Sequence, residues 1–221
     1  LFLIMMNDRT PYLEALMNQY AKRKHPLDYT SRYQLMVMVI LSAQDSDKHI
    51  NELAPKVFEA YPSMNALAQA TAEDLHQLIS SVRNFGNKSA WLVKLAQLIS
   101  DDDNIPTTMA ELTKLPGIGR KSANVIMRES GVVSEGVIVD LHVVRVAPRI
   151  GIATGTQPEK IEKQIMAIVP KEKWGEIGMA ISFLGREICR PTHPKCDKCV
   201  VSEVCNYHNG VSESAESPKL F

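Results

Sequence analysis

The stretch Leu115-Pro116-Gly117-Ile118-Gly119-Arg120-Lys121 decides the fold. It is a short glycine turn between two helical segments. Upstream, Thr108-Met109-Ala110-Glu111 has the form of a capping box that opens a helix. Downstream, Arg120 to Ser130 has helical periodicity. Glycines at alternate positions permit positive φ and close backbone approach to a partner. The amides of Gly117 and Gly119, with the first free N–H groups of the next helix, form an anion site suited to a phosphate. A plain helix-turn-helix corner with a glycine C-cap is the simpler alternative.

Lys121 falls in the first turn of that next helix. The positive end of the helix dipole lowers a lysine pKa there. A partly desolvated, neutral lysine is a nucleophile able to form a Schiff base. Taken alone, a lysine in this place is more often a phosphate contact or a solvated side chain, so the residues that follow must decide. The apolar run Val132 to Val139 ends at Asp140-Leu141-His142. A carboxylate directly after a buried segment is costly unless it is paired or caps a helix. Asp140 is therefore an N-cap in the simple reading, and a partner for Lys121 in the chemical one. For His142 a hydrogen bond in the core is the simpler role, and catalysis the other.

Outward from this segment the periodicity stays helical. Thr10-Pro11 places a cap before a proline at the first helical position, and Leu13, Leu16, Met17 and Tyr20 make an apolar stripe. Arg32 to Ser42 is apolar on every side, which predicts a central buried helix. Ser46, Ser63 and Thr71 cap three more, the last with Asp74 in capping-box register. Asn87 to Ile99 is amphipathic, and Asp101 to Pro106 is a loop. Val132 to Val139 is β-branched, but a lone strand has no partner, so it reads as an extended connection. Helices are predicted again at about Asp140 to Ile150, Gln157 to Ile168 and Glu172 to Leu184. The fold class is all-α, with a disordered tail over 208–221.

The four cysteines, Cys189, Cys196, Cys199 and Cys205, all lie late in the chain. A disulfide-stabilised protein would spread them to close long loops. Spaced Cys-x6-Cys-x2-Cys-x5-Cys, they supply four thiolates, enough for a tetrahedral zinc or an iron–sulfur cluster. Arg186, Arg190, Lys195 and Lys198 surround this loop and are expected to meet phosphate.

With 221 residues, 45% of them hydrophobic, the chain can bury a real core. Lys plus Arg equal Asp plus Glu, so no overall field draws in nucleic acid, and any phosphate contact must come from a local basic face. No stretch is long and apolar enough for a membrane span. The apolar opening Leu1 to Met6 lacks a basic leader and a small-residue cleavage site, and reads as a frayed leader before a start at Met5 or Met6. A cytoplasmic location (nucleoid-associated in a bacterium) is expected.

Between about Tyr33 and Cys205 the sequence resembles the helix-hairpin-helix DNA glycosylases of the endonuclease III family. The family hairpin is similar to Leu115–Val125, differing by Ile118 and Ser122. Its Val-Asp-Thr-His-Val segment is similar to Val139–Val143, with Leu141 in place of threonine. Its Leu-Ser-Ala-Gln motif recurs as Leu41 to Gln44 and runs on to Asn51, with Ile50 for valine. The resemblance implies a monomeric base-excision enzyme acting on double-stranded DNA with a damaged base or an abasic site. Lys121 attacks the sugar C1′, Asp140 stabilises the developing positive charge, and β-elimination nicks the strand. It implies that the target nucleotide is flipped out and that Gln44 lines the gap it leaves. It also implies DNA contacts for Leu115, Gly117, Gly119, Arg120 and His142, and a [4Fe–4S] centre on the four cysteines.

One loop departs from the family. Where relatives read like Gly-Leu-Tyr-x-x-Lys, this chain has Arg83-Asn84-Phe85-Gly86-Asn87-Lys88, so a polar Asn84 takes the wedge position. Phe85 is the wedge if the loop shifts by one residue, and Arg83 is a further candidate contact. The expected organisation is a helical-barrel domain (28–133) carrying the hairpin. A second domain (7–27 plus 134–207) holds the N-terminal helix, the C-terminal helices and the cluster loop. Lys121 and Asp140 then face each other across a cleft. The rival readings are a monofunctional mismatch- or adenine-type glycosylase and a non-catalytic hairpin module that only grips backbone. Keeping both Lys121 and Asp140 argues against the latter.

Overall fold

A computed structural model of the chain describes residues 9–211; the expected leader and start, and the part of the tail beyond Val211, lie outside these residues. Among the described residues the regular structure is α-helix with short 3₁₀ turns. The chain separates into two compact units, Lys24–Val132 and Leu1–Arg23 with Val133–Phe221.

The first unit is built around α2 (Arg32–Leu41). Ser31 caps it by accepting from the Gln34 amide, and every side chain from Leu35 to Leu41 is buried. Burying an aliphatic side chain is worth about 1.5–3 kcal/mol, so the all-apolar run is decisive for a central position. Against α2 pack α3 (Asp47–Ala60), α6 (Phe85–Ile99) and α8 (Arg120–Glu129). Short helices α4 (Met64–Ala68), α5 (Ala72–Ile79) and α7 (Met109–Leu112) fill in around α6 and α8. The caps are those the sequence predicts: Ser46, Ser63 and Thr71 each accept an amide, and Thr71 with Asp74 forms a reciprocal capping box. Helix α6 starts at Phe85, two residues before the predicted Asn87, because Asn84 takes a left-handed conformation and turns the chain directly into the helix.

The second unit holds α1 (Thr10–Tyr20), α9 (Leu141–Arg149), α10 (Pro158–Met166) and α11 (Trp174–Glu187). Thr10 is itself the first helical residue; Arg9 precedes it with no side-chain cap, its guanidinium reaching instead to the Ile150 carbonyl and Asn206. Tyr20 stacks on Phe183 at 5.6 Å between ring centroids, fixing α1 on α11. The connection Val132 to Val139 forms neither helix nor strand and bends at Glu135 and Gly136, as a connection without a partner strand predicts. Its end is buried against α11, where a Cβ on Gly178 would lie 2.7 Å from the Ile138 carbonyl oxygen. Seven residues on, a Cβ on Gly185 would lie 2.8 Å from the His142 Cβ, so α9 and α11 cross at close range.

The cluster loop returns over the end of α9. Tyr207 donates its amide to the Arg149 carbonyl, and the Arg149 guanidinium lies 4.4 Å over the Tyr207 ring. The tail expected to be disordered from 208 is, in its described part, folded onto this loop. The Asn209 amide bonds to the Cys205 carbonyl and its side chain to the Glu203 carbonyl.

Candidate active site and DNA-facing turns

The hairpin is formed as the sequence predicts, with one refinement. Only Gly117 uses positive φ, at 77°; Gly119 is extended and serves as the N-cap of α8, with no side chain to occupy the helix start. A Cβ on Gly117 would meet Trp91 at 3.1 Å and Ile40 at 3.4 Å, so glycine there lets the turn sit down on α2 and α6. Ile118 is buried and anchors the turn from below, while Gly119, Arg120 and Lys121 are exposed above it. Leu115 is half-buried at the other end of the turn. Lys121 thus stands in the first turn of α8 on the solvent side, where the expected partial desolvation is not present within its own unit.

Asp140 takes the N-cap role, and its second oxygen is paired within its own unit. One oxygen, Oδ1, accepts from the amides of His142 and Val143, both at 2.9 Å, and so caps α9. The other, Oδ2, accepts from the Ser182 hydroxyl at 2.6 Å and lies 3.8 Å from the Arg186 guanidinium. Arg186 also donates to Ser182 through Nε at 3.4 Å. The carboxylate is therefore fixed in position and charge-compensated, while its side chain stays 17% exposed. Sequence reasoning missed Ser182 and placed Arg186 among the phosphate contacts of the cluster loop. The available signal was a serine inside the apolar run of α11, flanked by Gly178 and Gly185 at helical spacing. Arg190, Lys195 and Lys198 remain exposed.

His142 is half-buried, its Nδ1 3.2 Å from an Arg145 Nη2 that also donates to the carbonyls of Gly185 and Cys189. That supports the core role over a DNA contact. Arg145 is buried enough that desolvation lowers its pKa, the neighbouring Cys189 opposing this.

In the first unit two exposed turns are drawn together. Gln44 follows α2 with φ 61°, and Asn84 precedes α6 with φ 59°. Lys88 is 2% exposed, yet its ammonium donates to the carbonyls of Leu41 and Ala43 at 2.8 and 2.6 Å. It thereby satisfies the C-terminal end of α2, where a cation suits the helix dipole. Burial holds this lysine below its usual range, with Asp45 pulling the other way. The Asp45 carboxylate accepts from the Ser46 amide, from His49 Nδ1 and from the Arg83 amide, at 2.8, 2.8 and 3.1 Å. Arg83 and Asn84 stand exposed at the tip. Phe85 is 37% exposed and turned edge-on to His76 at 5.3 Å, so Asn84 rather than Phe85 leads the turn.

All four cysteines are free, with Cys189 and Cys205 buried. Burial first, and then the proximity of Cys189, Cys205 and Cys196, pushes the Cys199 thiol up to about 11, against a bond from the Val201 amide. The sulfurs have N–H donors arranged to suit thiolates: Arg149 Nη1 to Cys189 Sγ at 3.6 Å, and the Tyr207 and His208 amides to Cys205. Among the described residues no group of three or more His, Cys, Asp or Glu side chains is arranged to hold a metal ion, so it is the donor chemistry that fits a thiolate-bound centre.

Three comparisons bear on this geometry. Residues 37–171 match the family described as the HhH-GPD superfamily base excision DNA repair protein. Endonuclease III of Synechocystis sp. is 35% identical over 198 residues, covering 89% of this chain and 90% of the relative. Endonuclease III of Rickettsia felis is 36% identical over 192 residues, covering 84% and 88%. Among solved structures, a trapped endonuclease III–DNA covalent intermediate in an estranged-adenine complex superposes with a TM-score of 0.83 at 30% identity, covering 93% of this chain and 98% of the other.

Proposed function

The chain belongs to the endonuclease III family of helix-hairpin-helix base-excision repair proteins, DNA glycosylases with AP lyase activity, and from that premise we propose how its own residues carry the reaction. The hairpin with Gly117 and Gly119 grips the phosphate backbone, and Lys121, in the first turn of α8, supplies the nucleophile. Its amine forms a bond to the sugar C1′ while the C1′–N bond to the base breaks, the electron pair leaving with the base. Ring opening gives a protonated imine between Lys121 and C1′. Loss of a C2′ proton then expels the 3′ phosphate and nicks the strand. Asp140 stabilises positive charge on the sugar and serves the proton transfers, because its carboxylate is held in place by the α9 amides, Ser182 and Arg186. Lys121 belongs to one unit and Asp140 to the other.

Gln44 lines the gap left by the everted nucleotide, Asn84 takes the wedge position beside it, and Arg83 contacts the orphaned base or a phosphate. Cys189, Cys196, Cys199 and Cys205 hold a [4Fe–4S] cluster that orders the loop bearing Arg190, Lys195 and Lys198. The protein acts as a monomer in the cytoplasm on double-stranded DNA. No helix among the described residues is long and apolar enough to cross a membrane.

The observation that carries this reading is Asp140, whose carboxylate is fixed by four donors and yet stays 17% exposed. A borohydride-trapping assay on abasic duplex tests it. Wild-type protein is covalently captured, and Lys121→Gln binds the same duplex but is not. Full capture of Lys121→Gln would remove the nucleophile assignment. A wild-type protein that excises bases without being trapped would favour the monofunctional reading.

A further inference from the structure

Asp45 lies between the Gln44 and Asn84 turns without being the residue that either presents. Each of its oxygens has a defined task. Oδ1 takes the Ser46 amide and His49 Nδ1, which hold the turn carrying Gln44 at the start of α3. Oδ2 takes the Arg83 amide, which belongs to the turn carrying Asn84. His49 repeats the bridge through Nε2, 3.0 Å from the Ser81 hydroxyl. Lys88 ties the same two turns a second time: its ammonium holds the Leu41 and Ala43 carbonyls, while its amide bonds to the Asn84 carbonyl at 3.1 Å.

A carboxylate beside a phosphate-facing surface would repel DNA if it pointed outward. Here the Asp45 side chain is only 12% exposed and its oxygens are directed at donors. Burial pushes its carboxyl up, but the bonds from His49 and from the Arg83 and Ser46 amides together hold it below the usual range. The two tips it joins are both non-glycine residues in left-handed backbone, a conformation costing of order 1 kcal/mol or more unless the surroundings enforce it. The cost falls on two turns that Asp45, with His49 and Lys88, holds together.

We propose that Asp45 is a positioning residue for base eversion, its carboxylate joining the Gln44 turn to the Arg83–Asn84 turn so that both enter the duplex as one rigid wedge. This rests on the reading that the two turns face DNA. A rigid wedge matters most where a base pair must be opened, and least where the partner base is already missing.

The test uses the full chain and two duplexes, thymine glycol opposite adenine and thymine glycol opposite an abasic site. Single-turnover excision by Asp45→Ala is expected to fall about tenfold on the paired duplex, a modest change in barrier. On the duplex without a partner base it should stay within about twofold of wild type, as should duplex affinity. Gln44→Ala and Asn84→Ala should also slow the paired duplex, and Asp45→Ala/Asn84→Ala should be no slower than the slower single variant. Equal losses on both duplexes, or full additivity with Asn84→Ala, would show a merely structural Asp45 and overturn the proposal. If Gln44→Ala and Asn84→Ala slow the paired duplex while Asp45→Ala does not, the coupling alone fails. If none of the three slows it, the DNA-facing reading fails and takes the coupling with it. Should Asp45→Ala not fold, the isosteric Asp45→Asn, which loses an acceptor for either Arg83 or His49, carries the same comparison.

Discussion

Asp140 illustrates how one carboxylate can hold two sets of partners at once. The N-cap geometry fixes one oxygen through two amides, and Ser182 with Arg186 fixes the other. Asp140→Asn keeps an acceptor for the cap but loses the charge, so thermal stability should change little while single-turnover base release slows by about two or more orders of magnitude. Ser182→Ala leaves the cap untouched and removes one donor to the carboxylate. It is expected to cost about 1 kcal/mol of stability and to slow base release by about tenfold. Unchanged excision by Asp140→Asn would make the residue a cap and nothing more. Aspartate before Leu141 was legible in the sequence as either role. Its partner Ser182 was not, because hydrogen bonds between residues far apart in the chain leave no local signature.

At the scale of elements, α11 does more than its apolar pattern suggests. Gly178, Ser182 and Gly185 lie on one face, which allows the connection at Ile138 and the helix α9 to approach its backbone. Gly178→Ala places a methyl 2.7 Å from the Ile138 carbonyl oxygen, a backbone atom that cannot swing away. The expected destabilisation is about 1–3 kcal/mol by denaturant unfolding. A loss near zero would mean that the connection shifts freely. The helix ends show where sequence rules hold and where they fail. Serine and threonine caps are local and were predictable, whereas the early start of α6 at Phe85 depends on Asn84 adopting positive φ, held there by contacts to other segments.

For the whole molecule two outcomes are expected. Protein purified without chelator should be yellow-brown with about four irons per chain, and stripping the metal should raise hydrogen exchange across 189–205 and weaken DNA binding. A colourless protein with one tightly held zinc would overturn the cluster assignment. The second outcome concerns lesion choice. Asn84, exposed at the tip of its turn, offers less apolar contact to the vacated stack than the bulky residue of relatives. Flipping costs least where pairing is already lost. Abasic sites and G·T or G·U mismatches should therefore be processed faster, relative to matched thymine glycol, than a leucine wedge would give; comparing wild type with Asn84→Leu on these duplexes checks it. An unchanged ratio would mean that the wedge position does not set preference.

By itself the sequence determined the helical class, the central place of α2, most caps, the hairpin and the clustering of four thiols. Each of these is written in nearest-neighbour chemistry: apolar periodicity, a hydroxyl before a helix, alternate glycines, close cysteine spacing. The tertiary structure alone decided that Arg186 lies beside Asp140, that a buried Lys88 closes the end of α2, and that Asp45 links the turns of Gln44 and Asn84. These pairings join residues from separate helices, and a charged group chooses its partner only when burial has removed water as the alternative.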